Sequence, residues 1–498
     1  MNIRLRLIFL LVTGILCGSA QAQYYFDFNK NCVDAYQLIL SLQPEPGRNL
    51  LKQEKAKNPE NLIPVLLESY IDFFYLFFNE DPDLYQQFKK SQQERQILFD
   101  KASDSSPYKL FAKSLLHLHW AAVQTKFGNN WDAGWNFRKS YLLNKENIKK
   151  FPGFHPSALP LGALEIAIGA VPDGYKWVVG LLGFKGDIGT GMSRLEDFIF
   201  SNHPQTEIFK NEAIFYYLYL KFYIQNDKQG VLSFIKEHKL DLVNNHLFAY
   251  LAANLSINSQ RSAQAGAIIR NRNKSSSYLQ TPIWDFEYGY VRLNHLQPDA
   301  GVYLERFINN FKGNFYVKDA LQKLSWHYYL QGNMEKALAY RKMIAEKGNA
   351  ITEADKQAQK DAGSSVWPNK LLLKVRLLND GGYLKEALGM LHGKSVDDFE
   401  TIEEKLEFSY RVGRIYDDMG RGEAAVQYYE YVAATGQNRR EYYAARAALQ
   451  LGYIYELKKD KNKARYWFEV CLAMKNHDYK HSIDSRAKAG LARIDALN

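Results

Sequence analysis

Residues 449–474 read LQLGYIYELKKDKNKARYWFEVCLAM, and the reading of this stretch decides the fold. Two apolar-rich runs flank the polar segment KKDKNK. In the first run Gly452 follows Leu451 and precedes Tyr455; in the second, Ala464 is followed four residues later by Phe468. Apolar residues three and four apart line one face of a helix. Small side chains at Gly452 and Ala464 let two such helices approach closely, while Leu451, Tyr455 and Phe468 fill the space around the contact. The stretch therefore predicts a helical hairpin.

Its pattern resembles the tetratricopeptide repeat, in which small residues at the eighth and twentieth positions and large ones at the fourth, seventh, eleventh and twenty-fourth describe two closely packed helices. The same register fits residues 410–432, with Gly413, Tyr416, Ala425 and Tyr429, and residues 324–344, with Ser325, Tyr328 and Ala337. A looser copy occupies 371–391, with Leu371, Leu378, Ala387 and Leu391. The turn is an independent check: Gly332, Gly382 and Gly420 all fall at position fifteen, where a left-handed helix cap is wanted, and the last copy has Lys459 there. Asn333 and Asp460 follow as caps for the second helix. Successive alanines, Ala337, Ala387, Ala425 and Ala464, are 50, 38 and 39 residues apart. The usual period is about 34, so the repeats carry insertions, the largest at 353–369, read as an extra helical turn and a loop ending at Pro368. Residues 217–235 and 119–137 fit the hairpin loosely, and 240–312 is helical without a clear register. The resemblance implies an all-α chain of hairpin repeats stacked into a right-handed superhelical solenoid.

A second stretch, KWVVGLLGFKGDIGTGMSRLEDFIF at 176–200, raises the question of phosphate binding. A phosphate-binding loop needs G-x-x-x-x-G-K-[ST], yet Lys185 precedes Gly186 and no Ser or Thr follows it. A dinucleotide fingerprint starting at Gly189 would need glycine where Arg194 stands. Repeat register explains the stretch better. With Gly186 at position fifteen, Gly191 takes position twenty, Tyr175, Val178 and Leu182 take the large positions of the first helix, Leu195 that of the second, and Asp187 caps it. Alanine is then expected to be tolerated at Gly191 and leucine is not. Gly180, Gly183 and Gly189 are surplus to this register and suggest a neighbouring helix pressed against the face.

The run from about 161 to 200 also resembles the core motif of the tetratricopeptide-repeat protein 39 and inclusion-body-clearance family. The matching residues are Pro172, Gly183-Phe184, Gly186-Asp187 and Gly191-Met192, with departures at Asp173 and Ile188. That resemblance implies a repeat fold; its eukaryotic members are intracellular and linked to inclusion handling and lipid metabolism.

The chain opens with Arg4, Arg6, an apolar stretch and Ala20-Gln21-Ala22, the order of a cleaved export signal. Cleavage after residue 22 leaves 476 of 498 residues and, with two arginines lost, takes the net charge from +10 to +8. A soluble, exported, periplasmic or envelope-associated chain is expected, with 23–205 forming an N-terminal helical region, 206–312 a middle hairpin region and 313–498 the C-terminal repeats. Leu16 before Cys17 argues against a lipoprotein signal. The scattered basic charge points to a solvated surface rather than nucleic acid. Cys32 and Cys471, near opposite ends of the chain, read as two buried free thiols.

No H-E-x-x-H, G-x-S-x-G or comparable catalytic motif occurs, so no enzyme activity, cofactor or metal is expected. His117 and His119 point to nearly opposite sides of a helix, and His477 and His481 lack a third ligand. The aromatic run IFYYLYLKFY at 214–223 reads as core packing ahead of a ligand cage. In this repeat class the first helices line a concave face, contacting peptides from positions two, five, nine and twelve. Here those positions give Trp326, Tyr329, Arg376, Asn379, Tyr410, Arg414, Asp417, Arg446, Tyr453 and Glu456. Arginine and asparagine suit a peptide backbone or terminal carboxylate, and the aromatics supply apolar contact. The sequence thus predicts a non-enzymatic scaffold for an unidentified protein or peptide partner. The alternative is a protein peripherally associated with envelope lipid or glycan through its aromatic-rich N-terminal half; the oligomeric state stays open.

Overall fold

The structure is a computed structural model that describes residues 23–171, 180 and 183–496. It is all-helical, 73% helix, with 24 α-helices packed in adjacent pairs among the described residues. The only β feature there is an isolated bridge between Tyr25 and Asn61, and no helix is long and apolar enough to cross a membrane. The chain divides into two compact units. Unit 1 holds residues up to Leu255 with 268–284 and 310–315, and unit 2 holds 256–267, 285–309 and 316–498.

Unit 1 contains α1 (Lys30–Leu40), α2 (Pro44–Lys57), α3 (Ile63–Asn79), α4 (Pro82–Asp100), α5 (Pro107–Lys126), α6 (Asn130–Lys150), α7 (Ala158–Gly169), α8 (Ile188–Phe200), α9 (Pro204–Tyr223) and α10 (Lys228–Glu237). Most of α11 (His246–Ile257) also belongs to it. Proline in the first turn starts five of these helices, because its fixed φ suits that turn and its missing N–H would be unpaired there anyway. Near the N-terminus the buried Glu54 carboxylate accepts from the side-chain amides of Asn29, Asn31, Asn58 and Asn61. Burial alone would raise its pKa, but these amides outweigh it and leave the carboxyl below its usual range.

The glycine stretch differs from its predicted register. Pro172, Asp173, Tyr175, Val178 and Leu182 lie outside the described residues. Gly183, not Gly186, takes the left-handed conformation, with φ +74°. Gly186 is a close-approach position: a Cβ there would sit 2.6 Å from both Glu165 O and Ile168 Cβ. Gly191 likewise presses on α7, where a Cβ would meet Gly162 O and Ile166 Cγ1 at 2.6 Å. Alanine is therefore not accommodated at Gly191 as the register expected. The neighbouring helix is α7 itself, which offers Gly162 and Gly169 to the same seam. Gly180 and Gly189 have no close contact that would require glycine, except the Asp187 side chain 3.2 Å from Gly189. Asp187 does cap α8, accepting from Thr190 N at 2.8 Å, and Leu195 is fully buried.

Unit 2 contains most of α13 (Ile283–Asn294) and α14 (Ala300–Asn310), and shares α12 (Ser262–Asn271) with unit 1. Then come α15 (Val317–Leu330), α16 (Met334–Glu346), α17 (Glu353–Ala362), α18 (Lys370–Gly381), α19 (Leu384–Met390), α20 (Ile402–Asp418), α21 (Gly422–Thr435), α22 (Tyr443–Leu457), α23 (Lys461–Ala473) and α24 (Lys480–Ala496). The four predicted hairpins are α15/α16, α18/α19, α20/α21 and α22/α23. Their turns are left-handed as expected: φ is +82° at Gly332, +84° at Gly382, +73° at Gly420 and +61° at Lys459. Ala337, Ala387, Ala425 and Ala464 are all fully buried. Close approach is visible at Gly413, whose Cβ would meet the Tyr429 ring at 3.0 Å, and at Gly452, whose Cβ would run into the Phe468 ring. Asn333 and Asp460 cap the second helices through Lys336 N and Lys463 N. The 353–369 insertion is larger than predicted, a ten-residue helix, α17. Its buried Asp355 accepts from Tyr316 N and Asp319 N, both at 3.0 Å, and so caps α15 from a distant part of the chain. Cys32 and Cys471 are free and buried, and burial raises each thiol to about 12.

Unit 1 also carries a built-in acid sensitivity. His246 is buried, with Nε2 2.8 Å from Asn273 O, its ring stacked on Tyr278, and Nδ1 without a partner. Burial lowers its pKa from 6.5 to about 4; the Asn273 carbonyl opposes that shift and the Arg272 charge reinforces it. The native ring is therefore neutral while the unfolded ring takes up a proton below 6.5. Stability present above pH 6.5 is lost as the pH falls towards 4, by about 2–3 kcal/mol. Urea unfolding at pH 7 and pH 4.5 should show this loss in the parent and little of it in His246→Gln. Equal losses in both would refute the assignment.

Candidate functional site

Unit 2 encloses a groove of about 490 Å³. One wall comes from Trp326 on α15 and Arg376 on α18, another from the insertion, and the third from the start of α20 with the loop before α22. The insertion is held by Arg341, whose Nη2 donates to the carbonyls of Asp361 at 2.8 Å, Val366 at 3.1 Å and Ser364. The same guanidinium lies over the Trp367 ring at 4.5 Å. Trp367 in turn stacks on Tyr329 at 4.6 Å, and the Tyr329 hydroxyl donates to Pro368 O at 3.0 Å. An aromatic ledge is thereby fixed at the mouth of the groove.

The charges are sorted along it. Arg376 sits over the Trp326 ring at 5.0 Å and reaches Asp380 only at 3.8 Å, so its guanidinium keeps donor capacity for a ligand. Asp380 is braced more tightly by Arg414, at 3.0 Å. Burial pushes the Asp380 carboxyl up, and the guanidiniums of Arg414 and Arg376 outweigh that and hold it below its usual range. On the opposite wall stand Glu403, Glu404, Glu407 and Glu441. Glu403 is raised, by burial first and then by the carboxylates of Glu441 and Glu407. Arg439 also lines the groove and pairs with Glu441 at 2.7 Å, partly offsetting this crowding, so the position that favours an incoming cation is Glu403 itself.

Comparison with protein-family models and with curated proteins finds no match to this chain.

Of the residues predicted for the groove, the structure brings Trp326 and Arg376 together on its wall, with Tyr329 directly behind Trp367. Tyr410 is buried beneath Tyr442 and Tyr443, and Arg414 acts on Asp380 and Asp418. The others do not line the cavity. Asn379 is fully buried, its side-chain amide donating to Asp418 at 2.8 Å while its backbone carbonyl accepts from Gln260. Asp417 accepts from Tyr429 and Gln450. Glu456 forms a two-pronged pair with Arg493 at 2.6 and 2.7 Å, Tyr453 packs on Phe468, and Arg446 is half-buried on α22. Position twelve fails as a contact position for a physical reason: Asn379, Asp417 and Glu456 are each taken by a residue on the helix two places further along, Asp418 on α20, Gln450 on α22 and Arg493 on α24. Sequence reasoning missed Arg341, Trp367 and the Glu403–Glu441 wall. A tryptophan beside a proline in the longest insertion was the available signal for one of them.

Proposed function

We propose that this chain is an exported, non-enzymatic scaffold of tetratricopeptide-type repeats whose unit 2 groove holds an extended peptide or protein segment. The observation that carries the reading is the sorting of chemistry along the groove: an under-used guanidinium at Arg376, an aromatic ledge at Trp326 and Trp367, and a crowded carboxylate wall around Glu403. A segment with a carboxylate at one end and a basic side chain a few residues away satisfies all three. Export rests on the charged, apolar and Ala-Gln-Ala order of residues 1–22. Kinship with the tetratricopeptide-repeat protein 39 and inclusion-body-clearance family rests on Gly183-Phe184, Gly186-Asp187 and Gly191-Met192, and belongs to the same proposal.

A random peptide library selected on the purified chain should enrich sequences pairing a basic residue with a free or side-chain carboxylate. Arg376→Ala should weaken the selected peptides about tenfold or more, the size of one lost charge-assisted contact, with helicity unchanged. Glu403→Gln should weaken those carrying lysine or arginine. Absence of enrichment, or equal binding by parent and Arg376→Ala, would overturn the groove assignment.

A further inference from the structure

The aromatic run at 214–223 has two faces. Ile214, Tyr217, Leu218 and Phe222 are buried, as core packing requires. Phe215, Tyr216, Tyr219 and Leu220 instead line a cavity of about 270 Å³ within unit 1. Its other walls are aromatic or aliphatic, including Phe73, Phe74 and Phe77 from α3, Phe137 from α6, and Ala163 and Ala167 from α7.

Among the described residues only two polar groups other than tyrosine hydroxyls face this space, and both are buried: Glu212, 3% exposed, and His119, 4% exposed. Neither lysine nor arginine lines it among the described residues. Glu212 Oε2 accepts from the hydroxyls of Tyr36 and Tyr70, the latter at 3.0 Å, and Tyr216 also hydrogen-bonds the carboxyl. Glu212 Oε1 faces His119 Nε2 at 3.9 Å, too far for a hydrogen bond, and neither ring nitrogen of His119 has a hydrogen-bond partner. The imidazole is wedged between Phe73 and Tyr70, with ring centroids 4.5 and 4.4 Å away. An aromatic chamber thus contains a buried carboxylate and an unsatisfied imidazole.

We propose that this cavity is a binding site for a small organic cation: an apolar body carrying a protonated amine that meets Glu212. The charge selects the occupant. A fatty acid or a phosphate would bring a second acidic group against the buried Glu212 carboxyl, whereas an ammonium can donate to Glu212 Oε1 and is attracted by the surrounding ring faces. Size is consistent, since benzene occupies an engineered cavity of about 150 Å³, leaving room here for a ring and a short chain. This site is independent of the unit 2 groove.

Isothermal titration of the full chain with 4-phenylbutylamine, 4-phenylbutanol and 4-phenylbutyrate tests the idea, because the three share a body and differ in charge. The amine should bind at least tenfold more tightly than the acid, with the alcohol between them. Glu212→Gln, which keeps an acceptor for the tyrosines, should remove the preference for the amine. Ala167→Trp, which fills the chamber from α7, should abolish binding of all three with the far-UV spectrum retained. Binding of the acid as tightly as the amine, an unchanged preference in Glu212→Gln, unaltered binding by Ala167→Trp, or no binding of any ligand by the parent would each overturn the proposal.

Discussion

Replacing Gly191 with alanine is expected to destabilise the protein by about 2 kcal/mol, and replacing it with leucine by more than about 4 kcal/mol. An ideal Cβ at this position falls 2.6 Å from Gly162 O and from Ile166 Cγ1, and 3.0 Å from Ile166 N. Two of those atoms are backbone and cannot rotate away. Across the seam the approach is equally close: a Cβ on Gly162 would meet Leu195 Cγ at 3.0 Å, and one on Gly169 would meet Ile188 N at 2.7 Å. The helices α7 and α8 therefore touch backbone to backbone, and Arg194 clamps the contact with two bonds to Glu165 at 2.9 and 3.2 Å. Alanine gains about 1 kcal/mol of helix propensity over glycine, which offsets part of the strain. Gly389 on α19 supplies the control, because a Cβ there meets nothing within 4 Å, so Gly389→Ala should stabilise slightly. Urea midpoints of the three variants decide the matter. An alanine variant at 191 as stable as the parent would show that the seam can open without loss.

That seam also shows where sequence reasoning reaches and where it stops. Repeat register placed the left-handed turns at Gly332, Gly382 and Gly420, and even Lys459 adopts the same conformation, because hairpin geometry imposes it whatever the residue. The small residues at positions eight and twenty were legible because a close helix crossing tolerates little else. Gly186 was misread because glycine serves two needs, positive φ and close approach, and composition alone does not separate them. The groove was only half legible. Trp326 and Arg376 lie on a regular helix face, whereas Trp367, Arg341 and the Glu403–Glu441 wall come from an insertion and inter-repeat loops that follow no period. The unit 1 cavity was hidden for a related reason: aromatic residues at helical spacing report an apolar neighbour, and a chamber and a packed core give the same pattern at 214–223. Glu212 gave no sign, since its three tyrosine partners come from three different helices.

Arg411→Ala should destabilise the protein by about 3–5 kcal/mol, the range for stripping one partner from a buried ion pair. Arg411 is 1% exposed and is the largest fully buried side chain among the described residues. Its Nη2 lies 2.6 Å and its Nε 3.1 Å from Glu407 Oε1, one helical turn earlier on α20, and Nη2 also reaches the Tyr442 hydroxyl at 3.4 Å. The rings of Tyr410 and Tyr443 lie 5.5 and 6.0 Å from the guanidinium carbon. Truncation would leave a carboxylate of low exposure without its counter-charge and a void among tyrosines. Arg411→Lys should recover only part of the loss, because a single ammonium cannot reproduce the fork that holds both Glu407 and Tyr442. The pair Arg411→Met with Glu407→Leu should recover most of it, since apolar groups of similar size leave no charge to desolvate. A double-mutant cycle would then give a coupling of at least about 2 kcal/mol. Additive effects of the two single substitutions would show that Glu407 finds its compensation elsewhere. Because Glu407 also belongs to the carboxylate wall of the groove, the same cycle read by peptide affinity tests whether a buried arginine tunes the charge presented to a ligand. If it does, Arg411→Ala raises affinity for basic peptides while lowering stability, a divergence that loss of structure alone would not produce.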